Sequence, residues 1–188
     1  MVERAGVRVH PTAEVSSEAV VGPGSSIWNQ AQIRERARIG AGCVIGKNVY
    51  VDVDVVIGDH VKVQNNVSLF HGVTIEDGVF IGPHVCFTND RVPRAVNVDG
   101  SPKSDDDWEV VPTLVRMGAA LGANSTILPG VTIGRWAMVG SGSVVTPGRI
   151  VLLAPRAAPV RTSVGTTSQS SSDFGEPSTL TARGTRSF

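Results

Sequence analysis

A repeat of six residues runs through most of this chain and constrains its fold more than any other feature. Counting from Val15 in steps of six, thirteen consecutive positions carry a large apolar residue. These positions are Val15, Val21, Ile27, Ile33, Ile39, Ile45, Val51, Ile57, Val63, Leu69, Ile75, Ile81 and Phe87. A period of six fits neither an α-helix nor a plain alternating strand. It indicates a parallel β-helix, in which each hexapeptide makes a short strand and a corner and three hexapeptides close one coil.

Residues 18 apart should then lie one above the other, separated by the ~4.8 Å spacing of paired strands. This stacking predicts three interior columns of apolar side chains, one of which contains Ile27, Ile45, Val63 and Ile81. A single coil cannot bury its apolar face alone, so stability comes from contacts between neighbouring coils. We therefore predict an all-β solenoid of about six coils over residues 8–148.

The repeat is interrupted once. After Phe87 the period requires an apolar residue at position 93, but the pattern stops after Asp90 and resumes only at Val115, in a new phase. The added stretch predicts an insert loop at 91–112. Long loops without secondary structure inside a compact domain are usually functional. A solvated surface excursion is the alternative.

Composition limits the partners of this chain. The 17 basic and 17 acidic residues balance, so no charged face predicts nucleic-acid binding. No apolar run approaches the ~18 residues that a membrane span needs. We expect a soluble, cytoplasmic protein with no nucleic-acid or membrane partner, in which Cys43 and Cys86 are buried structural thiols. Residues 149–188 are rich in Ser, Thr, Arg and Pro, which predicts an atypical, disordered tail.

Two stretches carry a resemblance to a known family. The segment VKVQNNVSLFHGVTIEDGVFIGPHVCFTND and the later segment TLVRMGAALGANSTILPGVTIGRWAMVGSGSVVT resemble left-handed β-helix acetyltransferases that N-acetylate nucleotide-linked amino sugars. The closest likeness is to enzymes acting on UDP-linked 3-amino-2-acetamido uronic acids and on dTDP-linked amino sugars. The resemblance implies left-handed coiling, a homotrimer, acetyl-CoA as co-substrate between subunits, and no metal. It ends abruptly after Thr146, as a reading-frame shift would produce.

Acetyl transfer to an amine needs a group that orients the amine and a destination for its proton. Asn89 and His71 are 18 apart, so the repeat predicts that they lie at the same corner on adjacent coils. The resemblance places Asn89 at the amino group of the sugar, and His71 is a candidate proton acceptor. The alternatives are an amide that caps the corner, a solvated histidine, and a reaction in which the departing thiolate takes the proton.

Further residues are candidates for binding. Gln64, Asn65 and Asn66 offer amides for a sugar or a nucleotide base, although asparagines also bond to the backbone in tight turns. Arg94 suits a diphosphate or a sugar carboxylate, and Trp108 either closes over the ligand or anchors the insert. The resemblance implies that small residues admit the pantetheine arm of CoA close to backbone amides, although corners also favour small residues without a ligand. These residues are Gly118, Ala119, Ala120, Gly122 and Ala123.

Two other functions remain open on the sequence. One is a non-catalytic or inactive assembly protein with the same repeat. The other is a metal enzyme of the γ-carbonic-anhydrase type, in which three histidines hold zinc. The repeat places His60, His71 and His84 at three different corners, which disfavours this second alternative.

Overall fold

The computed structural model describes residues 1–4, 6–104 and 107–148 of the 188-residue chain. The prediction of a disordered tail at 149–188 lies outside these residues. The described part contains β-strands and turns and no α-helix. Within it there is therefore no helix long and apolar enough to cross a membrane.

Twenty-one short strands form three sheets. The first sheet holds β1 (Val2–Arg4), β2 (Val7–Val9), β5 (Ser26–Ile27), β8 (Val44–Ile45), β11 (Lys62–Val63), β14 (Phe80–Ile81), β17 (Ala120–Leu121) and β20 (Met138–Val139). The second holds β3 (Glu14–Val15), β6 (Gln32–Ile33), β9 (Tyr50–Val51), β12 (Ser68–Leu69), β15 (Cys86–Phe87), β18 (Thr126–Ile127) and β21 (Val144–Val145). The third holds β4 (Val20–Val21), β7 (Arg38–Ile39), β10 (Val56–Ile57), β13 (Val73–Ile75), β16 (Thr113–Val115) and β19 (Thr132–Ile133).

The pairing of these strands confirms the predicted solenoid. Val63 pairs in parallel with Ile45 and Ile81, its neighbours in the predicted interior column. Across the insert, Ile81 pairs with Leu121, so the stacking resumes in the new phase that the sequence indicates. The phase also extends one step before Val15, because Val9 pairs with Ile27. The first two sheets thus hold seven parallel strands each and the third holds six, slightly more than the predicted six coils.

The core is a single apolar cluster inside the three sheets. In a typical two-residue strand the first side chain faces out and the second faces in, as in β10, where Val56 is 39% exposed and Ile57 is 2% exposed. The predicted burial of the cysteines holds fully for Cys43 and partly for Cys86, which is half-buried, and both thiols are free. Burial raises the pKa of both thiols, so they suit a structural role.

Each coil turns at three corners. We call the turn after a first-sheet strand the first corner, the turn after a second-sheet strand the second corner, and the turn after a third-sheet strand the third corner. The third residue of a turn often has left-handed φ, for example Asn48 (φ 54°), Asp54 (φ 59°) and Asn66 (φ 60°). Asparagine and aspartate tolerate this conformation better than most residues. Successive turns therefore stack polar side chains into columns along each corner.

Candidate functional site

The second corner brings His71 and Asn89 together, as the repeat predicts. The Asn89 side-chain Nδ2 donates a hydrogen bond of 3.3 Å to the backbone oxygen of His71. Both side chains are half-buried. The Asn89 amide thus caps the corner, and its role at the amino group of a sugar stays a prediction.

The ring of His71 is held in one orientation. Its Nδ1 lies 2.8 Å from the backbone oxygen of Val53, which is one coil away. Because a carbonyl oxygen can only accept a hydrogen bond, Nδ1 donates, and in the neutral imidazole Nε2 then keeps its lone pair. Among the described residues no hydrogen bond to Nε2 is found. This geometry is the one that a proton acceptor requires.

Charged side chains surround this histidine. The Asp54 Oδ2 lies 4.0 Å from His71 Nδ1. Arg36 binds Asp54 with two hydrogen bonds of 2.8 and 3.1 Å, and this contact holds the pKa of the Asp54 carboxyl below its usual range, with His71 adding a smaller effect. The ring of His71 therefore lies beside the ion pair formed by Arg36 and Asp54.

A nearly buried carboxylate lies behind the histidine. The side chain of Asp52 is 13% exposed, and its Oδ2 accepts a hydrogen bond of 3.1 Å from the backbone nitrogen of His71. Sequence reasoning missed both Asp52 and Asp54. The available signal was the charged residues at corner positions 34–36, two coils before His71, and at Asp52 and Asp54, one coil before it.

The insert leaves and returns at the same corner. It begins directly after Asn89 and Asp90, and at its end the Thr113 backbone nitrogen donates to the Gly72 oxygen at 3.0 Å. Inside the loop, Lys103 Nζ donates to the Val92 oxygen at 3.0 Å and lies 3.5 Å from Asp90 Oδ2. The insert therefore borders His71, which is consistent with its predicted role.

Two predicted residues of the insert lie on its surface. Arg94 is exposed, and within the described residues its guanidinium makes no hydrogen bond or ion pair. Trp108 is 36% exposed. A guanidinium without a protein partner is available to an anionic ligand, so the role of Arg94 stays a prediction. The structure does not decide between the two roles considered for Trp108.

The three predicted amides at 64–66 lie elsewhere. They occupy the first corner, so one chain does not bring them to His71. Asn65 Oδ1 accepts from the Lys47 backbone nitrogen at 2.9 Å. Asn66 Oδ1 accepts from Asn48 Nδ2 at 3.0 Å. The first bond favours the alternative of backbone capping for Asn65, whereas Asn66 bonds to another side chain. The half-buried Gln64 side chain has no hydrogen bond among the described residues.

The predicted CoA-binding residues run from the third corner along β17 to the first corner. Ala119 is buried, so its side chain faces the core. Four of the five backbone nitrogens already donate to carbonyls of the solenoid: Gly118 to Asp77, Ala119 to Arg116, Ala120 to Ala137 and Gly122 to Val139. A Cβ at Gly122 would lie 2.4 Å from the Ser141 nitrogen, so close stacking of coils already requires glycine there.

Ala123 is the exception among these five. At the same position of an earlier first-corner turn, Asn65 of the next coil accepts a hydrogen bond from the Lys47 backbone nitrogen. The next coil after Ala123 has Ser141 instead, and no described residue accepts from the Ala123 nitrogen. Of the five predicted residues, only Ala123 therefore has a backbone nitrogen that could donate a hydrogen bond to CoA.

A metal site has no support within the described part of the chain. It contains no group of three or more histidine, cysteine, aspartate and glutamate side chains placed to hold a metal ion. The positions of His60, His71 and His84 at the third, second and first corners are as predicted.

Comparison with known proteins gives a family match along the solenoid. Residues 18–52, 54–89 and 112–147 match the family described as "Bacterial transferase hexapeptide (six repeats)". Residues 36–71 also match "Hexapeptide repeat of succinyl-transferase". The insert falls between the last two matched stretches of the first family.

Individual relatives are more distant. "Bifunctional protein GlmU" of Carboxydothermus hydrogenoformans is 29% identical over 72% of this chain, which spans only 38% of that relative. "Gamma carbonic anhydrase 3, mitochondrial" of Arabidopsis thaliana is 38% identical over 41% of the chain and 34% of the relative. A solved structure, PerB from Caulobacter crescentus with CoA and GDP-perosamine, is 21% identical over 74% of this chain and 48% of its own, with a TM-score of 0.44.

Proposed function

Because the chain belongs to the bacterial transferase hexapeptide family, we propose that it is an acyltransferase that moves the acetyl group of acetyl-CoA to the amine of a nucleotide-linked amino sugar. The observation that carries this proposal is the second corner, where His71 lies beside Asn89 and the insert with its Nδ1 bonded to Val53 and its Nε2 bonded to no described residue. The resemblance described above supplies the substrate class, with UDP or dTDP as the nucleotide.

The reaction uses the groups at this corner. The amine nitrogen attacks the carbonyl carbon of the thioester, so that a C–N bond forms and the C–S bond breaks. His71 Nε2 takes the proton from the amine and returns it to the departing thiolate, which leaves as CoA thiol. Asn89 orients the amine through its Oδ1, because its Nδ2 is engaged by the His71 backbone oxygen. Arg94 pairs with the diphosphate or with a sugar carboxylate.

We also propose that the protein works as a homotrimer in the cytoplasm. In one chain the CoA candidate Ala123 lies at the first corner and His71 at the second, so a groove between subunits would join the two halves of the site. Cyclic symmetry then gives three equivalent sites. Two unpaired thiols, Cys43 and Cys86, suit a reducing compartment.

The test is release of thiol from acetyl-CoA in the presence of UDP- and dTDP-linked 3-amino and 4-amino sugars, with the acetylated product identified by mass spectrometry. We expect one sugar to give equal amounts of thiol and N-acetyl product. Asn89→Ala should lower turnover at least tenfold, whereas Asn48→Ala, which removes an amide that bonds to the Asn66 side chain at the first corner, should not.

Other outcomes would point to the alternatives. Unchanged turnover in Asn89→Ala contradicts the role of Asn89. CoA binding without acetylation of any amino sugar indicates another acceptor, and no CoA binding at all indicates an assembly protein. The likeness to a γ-carbonic anhydrase covers less than half of the chain. Stoichiometric zinc in the purified protein would support that alternative.

A further inference from the structure

The lone pair on His71 Nε2 depends on one hydrogen bond made by the opposite side of the ring. In neutral imidazole, the nitrogen that carries the proton is set by the hydrogen bond that it makes. Here that bond joins His71 Nδ1 to the Val53 oxygen over 2.8 Å. The two groups lie on adjacent coils of the solenoid. A contact that fixes the backbone at Val53 relative to the backbone at His71 would therefore preserve this hydrogen bond.

Asp52 is bonded to both stretches. Its Oδ1 accepts from the Val53 backbone nitrogen at 2.8 Å, and its Oδ2 accepts from the His71 backbone nitrogen at 3.1 Å. One carboxylate thus fixes the residue that supplies the carbonyl and the residue that supplies the ring. The pattern is local to this corner, because the carboxylates of Asp59 and Asp77 at the third corner each accept from only one backbone nitrogen.

The carboxylate itself is held from the other side. The Tyr50 hydroxyl donates to Asp52 Oδ1 at 2.8 Å, and the Arg34 guanidinium lies 3.7 Å from the same oxygen. Burial raises the pKa of the Tyr50 phenol, so its hydroxyl remains a donor. The Tyr50 ring also packs against Phe70, the residue before His71, with ring centres 5.6 Å apart.

From these contacts we propose that Asp52 is a positioning residue for His71. It aligns the Val53 carbonyl with the Nδ1–H of the imidazole, so that in the neutral ring Nε2 keeps the lone pair that accepts the proton of the amine. Asp52 acts through His71 and touches no substrate. The proposal rests on the proposed function, in which His71 accepts the proton of the amine.

The first test reads the tautomer directly and needs no activity. Nitrogen-15 NMR of the full chain should show His71 with a protonated Nδ1 and a lone-pair Nε2 near pH 8. Asp52→Ala and Asp52→Asn should both shift His71 toward a mixture of tautomers, since alanine removes both acceptors and asparagine retains one. Asp59→Ala is the matched control, because it removes a carboxylate-to-backbone bond of 2.7 Å at the third corner. The control should leave the His71 spectrum unchanged.

The second test separates positioning from stability. We expect Asp52→Ala to lower kcat about 10- to 100-fold with little change in the KM for acetyl-CoA. This loss is smaller than most of the ~10²–10⁴-fold contribution of a proton-transfer group, because His71 itself remains. In a His71→Ala background the same substitution should have no further effect on kcat, because coupled residues are not additive. Asp59→Ala should keep the wild-type kcat whatever its effect on the melting temperature.

The outcomes distinguish the two proposals. An unchanged His71 tautomer in both Asp52 variants, or an equal loss of kcat with and without His71, would overturn the positioning role. If the wild-type chain acetylates no amino sugar but the tautomer still depends on Asp52, the positioning stands and the proposed function fails. Urea unfolding of each variant identifies those that do not fold, and Asp52→Asn preserves the shape of the side chain in case Asp52→Ala is one of them.

Discussion

At the scale of single residues, the corner side chains serve the backbone of the neighbouring coil as much as any ligand. Asn65 illustrates this, since its amide oxygen accepts a hydrogen bond from the Lys47 backbone nitrogen, while Asn66 bonds to the side chain of Asn48 on the neighbouring coil. His71 differs because only one of its two ring nitrogens is bonded to a described residue. The corner side chains available to a ligand are therefore those with polar atoms that are not already bonded to a neighbouring coil.

The pair formed by Arg36 and Asp54 gives a pH-dependent contribution to stability. Arg36 holds the pKa of Asp54 below its usual range in the folded chain, so this contribution is fully present above about pH 4 and is lost as the pH falls through the folded pKa. We expect Asp54→Asn to lower the urea midpoint at pH 6, and the difference from wild type to vanish near pH 2.

Arg36→Ala should remove the same pH-dependent part, because the ion pair needs both partners. A difference between wild type and Asp54→Asn that stays constant from pH 6 to pH 2 would show that the Asp54 charge does not stabilise the fold. The pair is exposed, and high salt should weaken its contribution.

The sequence predicts the neighbours of a residue at this scale but not its bonds. The spacing of 18 was enough to place Asn89 over His71, and the hydrogen bond between them confirms the placement. The tie from Asp52 to His71 joins positions that are not stacked by the repeat and depends on a side-chain rotamer, which a repeat does not encode. The repeat did contain one exclusion that was not used: Gln64 follows a first-sheet strand and Asn89 a second-sheet strand, so they belong to different corners.

At the scale of strands, the loss of stability caused by a substitution should differ between the inward-facing and the outward-facing residue of a two-residue strand. In β10, Ile57→Ala removes a side chain that is 2% exposed and should cost about 2–5 kcal/mol of unfolding free energy. Val56→Ala, one residue earlier on the outer face, should change it by less than about 0.5 kcal/mol. Urea unfolding of both variants measures the contrast, and equal effects would contradict the assignment of inner and outer faces.

The insert is the element whose removal leaves the repeat intact. Deleting residues 91–112 joins Asp90 to Thr113 and puts Val115 six positions after Phe87, so the interior column continues. We expect the shortened chain to keep its β-rich circular dichroism spectrum and to melt cooperatively. We also expect it to lose turnover of the amino sugar, since Arg94 goes with the insert.

Two results would contradict this expectation. A shortened chain that fails to fold would show that the insert belongs to the core, and wild-type turnover would show that the loop has no part in the site. In the shortened chain Asp90 takes the turn position that Gly72 holds at φ 92° on the previous coil. A second shortened chain should therefore also carry Asp90→Gly, because glycine adopts this left-handed conformation without strain.

At the scale of the whole molecule, assembly is the property that the proposed site depends on. The outer face of the first sheet carries a stripe of apolar side chains in register, with Phe80 42% exposed, Ala120 half-buried and Met138 52% exposed. Ala120 is also a candidate for CoA binding, so this stripe is the face we expect to border a neighbouring subunit.

Sedimentation velocity of the purified chain should give a mass near three times 19.7 kDa. Met138→Glu should shift the population toward monomer, because a charge replaces an apolar contact. Thr132→Glu, on the exposed face of the third sheet, is the matched control and should leave the mass unchanged. A wild-type monomer would contradict the trimer, and the site would then have to form within one chain.

The fold class was predictable at this scale because every coil carries the same pattern of one apolar residue in six. The proposed function depends on places where the period is interrupted, such as the insert after Asp90, or where a coil lacks a usual contact, such as the Ala123 nitrogen. Each of these occurs once, so the sequence marks them only as exceptions. In the proposed trimer, these features would contact the surface of a neighbouring subunit, which one chain does not contain.

The antiparallel strand β1 has a consequence for solubility. A parallel β-helix ends in open strand edges, which can pair with any other edge and build fibres. By folding back on β2, β1 gives the first sheet a terminal strand whose direction opposes the rest of the stack. A second solenoid arriving end to end would meet this mismatched strand instead of a continuation of its own ladder. Within the described residues, β1 thus separates the parallel ladder of the first sheet from any solenoid that approaches this end.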